Sequence, residues 1–396
     1  MLPDADGMVA AALEGSGLRS TDIAPRGVEP TVDGRIYGYA VQAVDENGVA
    51  QSLLVYVDTS PPADPPGTAR VIRQPRTGRE ATAWLYPNDP ALPALRAATV
   101  PGAAAHVLDG LGFAPAEATT TVVSYRPGKR AVIRVAAGDR EYYLKVLRPE
   151  RVAAVRALHE ALIDGGLPAP RVLASSTDGM LVLAALTGTT ALRALDAGAP
   201  DSTTALLQAA LGMAGRLADA HVPTASRPGA LARYDWYASS LTELLPDRQA
   251  RLDEVFGRIA PLATPLDPEL RQVVHGDLHL DQLMVLPDDP RTVTGILDID
   301  TVGVGDPLED AAGLAAHLTV TGVMRRDPSL TEVADEWISL WREAHPESAG
   351  DRVRAARAAH LLAHALTFAP STDPESVEIV DALLDAAARL VRPRRH

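Results

Sequence analysis

The stretch best equipped for chemistry is Val273-Val274-His275-Gly276-Asp277-Leu278-His279-Leu280-Asp281-Gln282-Leu283-Met284-Val285, followed closely by Gly295-Ile296-Leu297-Asp298-Ile299-Asp300. The apolar runs Val273-Val274 and 283–286 read as strands bracketing a polar loop, and a third run, 293–297, ends in an acid. Buried strands that deliver carboxylates to one place are a way to build a cation site. Oxygen donors of this kind suit magnesium, which keeps several waters. His275 and His279 stand four positions apart, but on a loop they do not make the helical His-x-x-x-His face that zinc uses. The chain has no cysteine, which excludes disulfides, thiol catalysis and cysteine metal sites.

The spacing is more specific than a generic cation site. An Asp, an amide-bearing residue five positions on, and a second Asp on the next strand are similar to the protein-kinase catalytic loop. The phrase His-Gly-Asp-Leu-His at 275–279 resembles the aminoglycoside phosphotransferase superfamily of kinase-like small-molecule kinases. Gly303, Asp306-Pro307 and Asp310 recur where that family has a Gly, an Asp-Pro and a further Asp at the start of a helix. Gln282 replaces the usual Asn and is similar to the maltokinase-type branch, which is maltokinase or glucosamine kinase-like. The resemblance covers roughly residues 115–320. It implies that Asp277 takes the acceptor hydroxyl's proton and that Gln282 and Asp298 hold Mg2+. It also implies that Lys145 reaches the α- and β-phosphates of ATP, that Glu160 pairs with Lys145, and that the backbone around Ala185 holds adenine. Composition supports Lys145 independently. Lys129 and Lys145 are the only lysines in a chain that otherwise uses arginine, so each can be a site that needs a compact ammonium.

Composition bounds the class. The chain has 396 residues, 46% of them apolar and 22% charged, as expected of a folded protein of two or three domains. Its formal net charge of −14 argues against a nucleic-acid partner, and no basic stripe offsets it. The basic tail 392–396 is short and reads as a frayed end. No apolar run approaches the length of a membrane helix and the N-terminus lacks a signal pattern, so a cytoplasmic monomer without a membrane partner is expected.

Three domains follow from the patterning and the resemblance. Residues 1–114 read as a small α+β cap: a helix over 8–13, strands over 35–44 and 50–57 joined by an Asp45-Glu46-Asn47-Gly48 turn, a loop over 61–67, and strands over 69–74 and 81–86. Residues 115–187 read as a mostly β N-lobe, with strands over 120–125, 131–135 and 141–147 and a helix whose first turn takes Pro149 and which runs to Asp164. Residues 188–396 read as a mostly helical C-lobe. The expected class is α+β, a bilobal protein-kinase-like fold carrying an extra N-terminal cap.

Several residues stay open at this stage. Lys129 is either a solvated turn residue or a phosphate contact. His279 either braces the loop or lines the site. Asp300 either adds to the cation site or is solvated. Trp337 and Trp341, one helical turn apart, either floor a sugar ring or belong to the core. Asp306 is expected to cap a helix and Asp310 to be structural. The resulting expectation is an ATP- and Mg2+-dependent kinase of carbohydrate metabolism acting on a hydroxyl of a sugar or aminosugar. The alternatives are an aminoglycoside phosphotransferase and a nucleotide-binding pseudokinase. The single Gly of the first N-lobe turn and Gln282 feed the pseudokinase reading.

Overall fold

The structure, a computed structural model, describes all residues except 1–3, 32, 62–68, 75–76, 114–117, 199–201, 223, 225–227, 264–267, 347–349, 372 and 393–396. Most of the expected 61–67 loop and of the basic tail therefore lies outside the described residues. The chain groups into two compact units, one of residues 1–156 with 171–185 and the other of residues 157–170 with 186–396.

The first unit is built from two antiparallel sheets. Helix α1 (Ala5–Leu13) starts at Asp4, whose carboxylate accepts the Gly7 N–H, and packs Met8, Val9 and Leu13 into the core of the first sheet. That sheet runs β1 (Arg19–Pro30), β2 (Arg35–Val44), β3 (Ala50–Asp58), β5 (Glu80–Leu85), β4 (Arg70–Arg73) in spatial order. The turn between β2 and β3 forms where the sequence predicts it: Asp45 Oδ1 accepts the N–H groups of Asn47 and Val49. Strand β1 is not legible in the sequence. It is an edge strand, polar and proline-containing, and its ten-pair register with β2 rather than its own alternation makes it a strand.

The second sheet has the order β6 (Thr119–Arg126), β7 (Arg130–Ala137), β8 (Arg140–Leu147), β10 (Met180–Ala184), β9 (Val172–Ser175). Strand β8 is central and covered on both faces. Tyr142, Leu144 and Val146 face a core shared with α2 (Leu95–Thr99) and α3 (Pro101–Gly110), while Leu147 joins Val152, Val155, Leu181 and Leu183 on the other side. The helix α4 (Val152–Asp164) follows β8.

The second unit is mostly helical. Two small sheets, β11 (Thr189–Thr190) with β13 (Leu283–Leu286) and β14 (Asp289–Ile296), and β12 (Gln272–Val274) with β15 (Gly303–Gly305), carry the loops singled out above. Around them lie α5 (Ala191–Asp196), α6 (Ser202–Ala218), α7 (Tyr234–Leu244), α8 (Gln249–Ile259), α9 (Pro307–Arg325), α10 (Ser329–Ala344), α11 (Gly350–Phe368) and α12 (Pro374–Leu390). One continuous apolar core, from Leu158 to Ala387, holds them together. The sheet-rich first unit and helical second unit match the expected α+β, protein-kinase-like class. Among the described residues no helix is long and apolar enough to cross a membrane.

Candidate active site

Asp277 is exposed on the otherwise mostly buried loop just after β12. The loop is held from beneath. Asp310, in the first turn of α9 and 5% exposed, accepts the His275 N–H at 2.6 Å with one carboxylate oxygen and the Gly276 N–H at 2.7 Å with the other. Burial pushes the Asp310 carboxyl up, and the His275 ring and the two amides pull the other way. Gly276 has φ +78°, and a Cβ there would lie 2.7 Å from the Thr301 carbonyl oxygen, so both conformation and space demand glycine. The fully buried His275 ring donates its Nε2–H to Leu297 O at 2.9 Å, and Thr301 Oγ1 donates to His275 O at 2.8 Å.

Those bonds tie the Asp277 loop to the segment carrying Asp298. A second tie comes through Gln282: the Leu297 N–H donates to Gln282 O at 2.7 Å, continuing the β13–β14 ladder beyond Leu283 and Ile296. Gln282 and Asp298 therefore leave adjacent strands side by side. Asp298 has φ 51° and ψ 45°, a left-handed conformation uncommon for non-glycine residues that Asp tolerates better than most. The Gln282 side chain donates its Nε2–H to His279 Nε2 at 3.1 Å. Asp300 is half-buried on the following turn, Ile299–Thr301.

The remaining expected residues take the following places. Lys145 lies on β8 opposite Val132 and Leu181 and is 3% exposed. A buried ammonium needs anionic company, so this is not the solvated strand lysine that the sequence alone allows. Glu160 is exposed on α4, and Ala185 is half-buried directly after β10. Lys129 is decided differently from a phosphate contact: its Nζ meets Glu29 Oε2 at 2.8 Å, and Arg126 grips the same carboxylate with two nitrogens at 3.1 Å. Burial alone would raise the Glu29 pKa, but these two cations hold it below the usual carboxylate range. Asp306 caps α9 as expected, accepting the Leu308 N–H at 2.9 Å. Trp337 is fully buried with its Nε1–H on Ala311 O at 2.8 Å, and Trp341 is buried against His345, so both belong to the core.

His279 stacks on His317 of α9, with centroids 4.0 Å apart and planes 12° from parallel, and His317 meets His364 of α11 at 6.1 Å. His279, Asp281 and His317 bring three potential ligand atoms within 4.8 Å of one another. Imidazole lone pairs lie in the ring plane, however, and two stacked rings point them side by side rather than at one ion. The pair is a stack, not a chelate.

The sequence model of the phosphotransferase enzyme family matches residues 126–347. The chain belongs to that family. As a phosphotransferase it bears out the resemblance read from residues 275–310 at the level of the family and of the kinase-like fold. Among solved structures, the enzyme is similar to a thermostable mutant of the aminoglycoside phosphotransferase APH(4)-Ia in ternary complex with ADP and hygromycin B, at 15% identity and TM-score 0.53, over 72% of this chain and 96% of that one. It is also similar to the spectinomycin phosphotransferase APH(9)-Ia in complex with ADP and spectinomycin, at 10% identity and TM-score 0.51, over 74% of this chain and 99% of that one. At such identities the likeness is one of fold. No curated protein matches the phosphotransferase sequence. Two half-buried side chains near the loop, His317 and His364, escaped the sequence reading. The available signal was the four-residue spacing of Glu309, Gly313 and His317 on one helix and of His360 and His364 on another.

Proposed function

We propose that this phosphotransferase is an ATP-dependent kinase that moves the γ-phosphate to a hydroxyl of a sugar or aminosugar, in the manner of a maltokinase or glucosamine kinase. The observation that carries the reading is Asp277: an exposed carboxylate on a loop pinned by Asp310 and tied through His275 to the segment bearing Asp298. The donor set suits Mg2+. Asp298 and the Gln282 carbonyl are hard oxygen ligands, and the hydrogen bond from Gln282 Nε2 to His279 leaves Oε1 as the polar end of that side chain still to be used. When bound with nucleotide, Mg2+ would neutralise charge on the transferring phosphoryl group.

Each protein group then has a defined task. Asp277 orients the acceptor hydroxyl and takes its proton late, because a sugar alcohol is far too weak an acid to give it up before the new O–P bond forms. Lys145 supplies a fixed positive charge for the α- and β-phosphates, and the backbone around Ala185 holds adenine. Aminoglycoside phosphorylation is the second reading, and it is favoured by neighbours solved with hygromycin B or spectinomycin. The chemistry is the same and the acceptor differs. The test is to incubate the purified chain with MgATP and, separately, glucose, maltose, glucosamine, hygromycin B and spectinomycin, and to weigh the products by mass spectrometry. A phosphorylated sugar or aminosugar with unmodified antibiotics is the expected result. Absence of a phosphorylated alcohol from every reaction would remove the assignment.

A further inference from the structure

A polar seam runs between two helices of the second unit, through an otherwise apolar core. On α9, Glu309, Gly313 and His317 follow one another at four-residue intervals, and on α11 so do His360 and His364. One end of the seam is closed. The Glu309 carboxylate accepts the His360 Nε2–H at 2.7 Å and the N–H groups of Ala230 and Leu231 at 2.9 and 3.2 Å. Burial alone would raise its pKa, but His360 and the two amides hold it below the usual range. The other end is open. His317 and His364 are half-buried, and among the described residues their ring nitrogens make no hydrogen bond. His279 continues the row of rings to the catalytic loop, two residues past Asp277.

We propose that His317 and His364, continuing from His279, form the acceptor-binding wall beside Asp277, and that this wall selects the uncharged hydroxyl face of a sugar over a polycation. The inference rests on Asp277 being the residue that meets the acceptor hydroxyl. Neutral imidazole carries one N–H donor and one lone-pair acceptor, which is the complement of a hydroxyl group. The stacked faces cover one another, so the nitrogen-bearing edges are what the row offers. A polycation needs several carboxylates in the same wall. Besides the His279 ring, Asp281, Asp277 and Arg325 act on His317, and besides the His317 and His360 rings, Asp277 acts on His364. Asp277 meets the acceptor hydroxyl, and Asp281, which keeps its charge, accepts a hydrogen bond from Thr190 Oγ1 at 3.2 Å. Burial holds both rings to about 4, which keeps them uncharged at neutral pH. The rings of the wall therefore offer hydroxyl-matching edges and carry no negative charge of their own.

The experiment compares the full-length enzyme with His317→Ala, His364→Ala, His317→Gln and His364→Gln, using glucose, maltose, glucosamine, hygromycin B and spectinomycin as acceptors. For the wild type, kcat/KM with glucose or maltose should exceed that with either antibiotic. Each alanine variant should raise the sugar KM about tenfold, the loss of about 1.4 kcal/mol of binding, with kcat changed by less than about threefold. The glutamine variants, which keep a donor and an acceptor, should recover part of that loss. A merely structural role would lower the melting temperature and kcat together, without the split between KM and kcat. Should an alanine variant fail to fold, the matching leucine variant, which fills the space without a donor or an acceptor, replaces it, and a wild-type sugar KM in that variant overturns the role of that ring. Unchanged sugar KM in both folded alanine variants, or a wild-type preference for hygromycin B or spectinomycin, overturns the inference while leaving the phosphotransferase assignment standing. A wild type that phosphorylates none of the five acceptors overturns both.

Discussion

Asp277 is positioned by what surrounds it. Its carboxylate is exposed, yet the backbone that aims it is fixed by a single buried acid, Asp310, through two amides. Leaving two such N–H groups unpaired would cost about 1–3 kcal/mol each, which explains why an acid is kept there against the cost of burying it. Gly276 completes the turn because the left-handed backbone and the Thr301 carbonyl leave no room for a side chain. The residue-scale prediction separates aim from binding. Asp277→Ala should lower turnover by about 10²–10⁴-fold, the range for loss of a general base. The loop's fixing groups, Asp310 and His275, remain, so MgATP affinity measured by calorimetry should stay within about threefold of wild type. A variant with wild-type turnover would take Asp277 out of the reaction.

At the scale of elements, the pairing of α9 with α11 gives the protein a pH dependence. Burial, with the neighbouring imidazole adding to it, pulls the His317 and His364 pKa values from 6.5 to about 4. The unfolded chain therefore takes up protons below 6.5 that the folded chain does not bind until about 4. Stability from these two sites is intact above that window and falls as pH drops through it. Urea midpoints should decline from pH 7.5 to pH 5, and the double variant His317→Asn, His364→Gln should decline less steeply. Equal slopes for the two proteins would show that these rings do not titrate differently on folding. Helix spacing in the sequence made this seam discoverable, but a histidine at four-residue spacing could equally have faced water. The partner helix decides which.

At the scale of the whole molecule, the cap strands and the β6–β10 sheet share one compact unit. Two acids join them. Glu29 of β1 holds Arg126 and Lys129, and Asp89, 3% exposed, accepts the Gly128 N–H at 2.7 Å and the Tyr125 hydroxyl at 2.8 Å. Leu92, Leu95 and Leu108 complete the apolar core against β7 and β8. A chain beginning at residue 115 would lose all of this. Three buried leucines are worth about 1.5–3 kcal/mol each, a large part of the ~5–15 kcal/mol by which proteins are stable. Such a chain is expected to be aggregated or unfolded by circular dichroism, and a soluble, cooperatively melting product would show that the second sheet stands without its cap.

The polar loop bearing Asp277 between two strands, the strand run leading to Asp298 and the three strands around Lys145 were legible in the residues themselves. Their signals are local: a motif of a few side chains, a turn, an alternation of apolar positions. Strand β1, the pairing of Lys129 with Glu29, the core beneath α2 and α3, and the row from His279 to His364 were not. Each depends on groups far apart in the chain, 100 residues in the case of Lys129 and Glu29. A side chain's type states what it can bond to, and only the folded neighbours decide which of those bonds it makes.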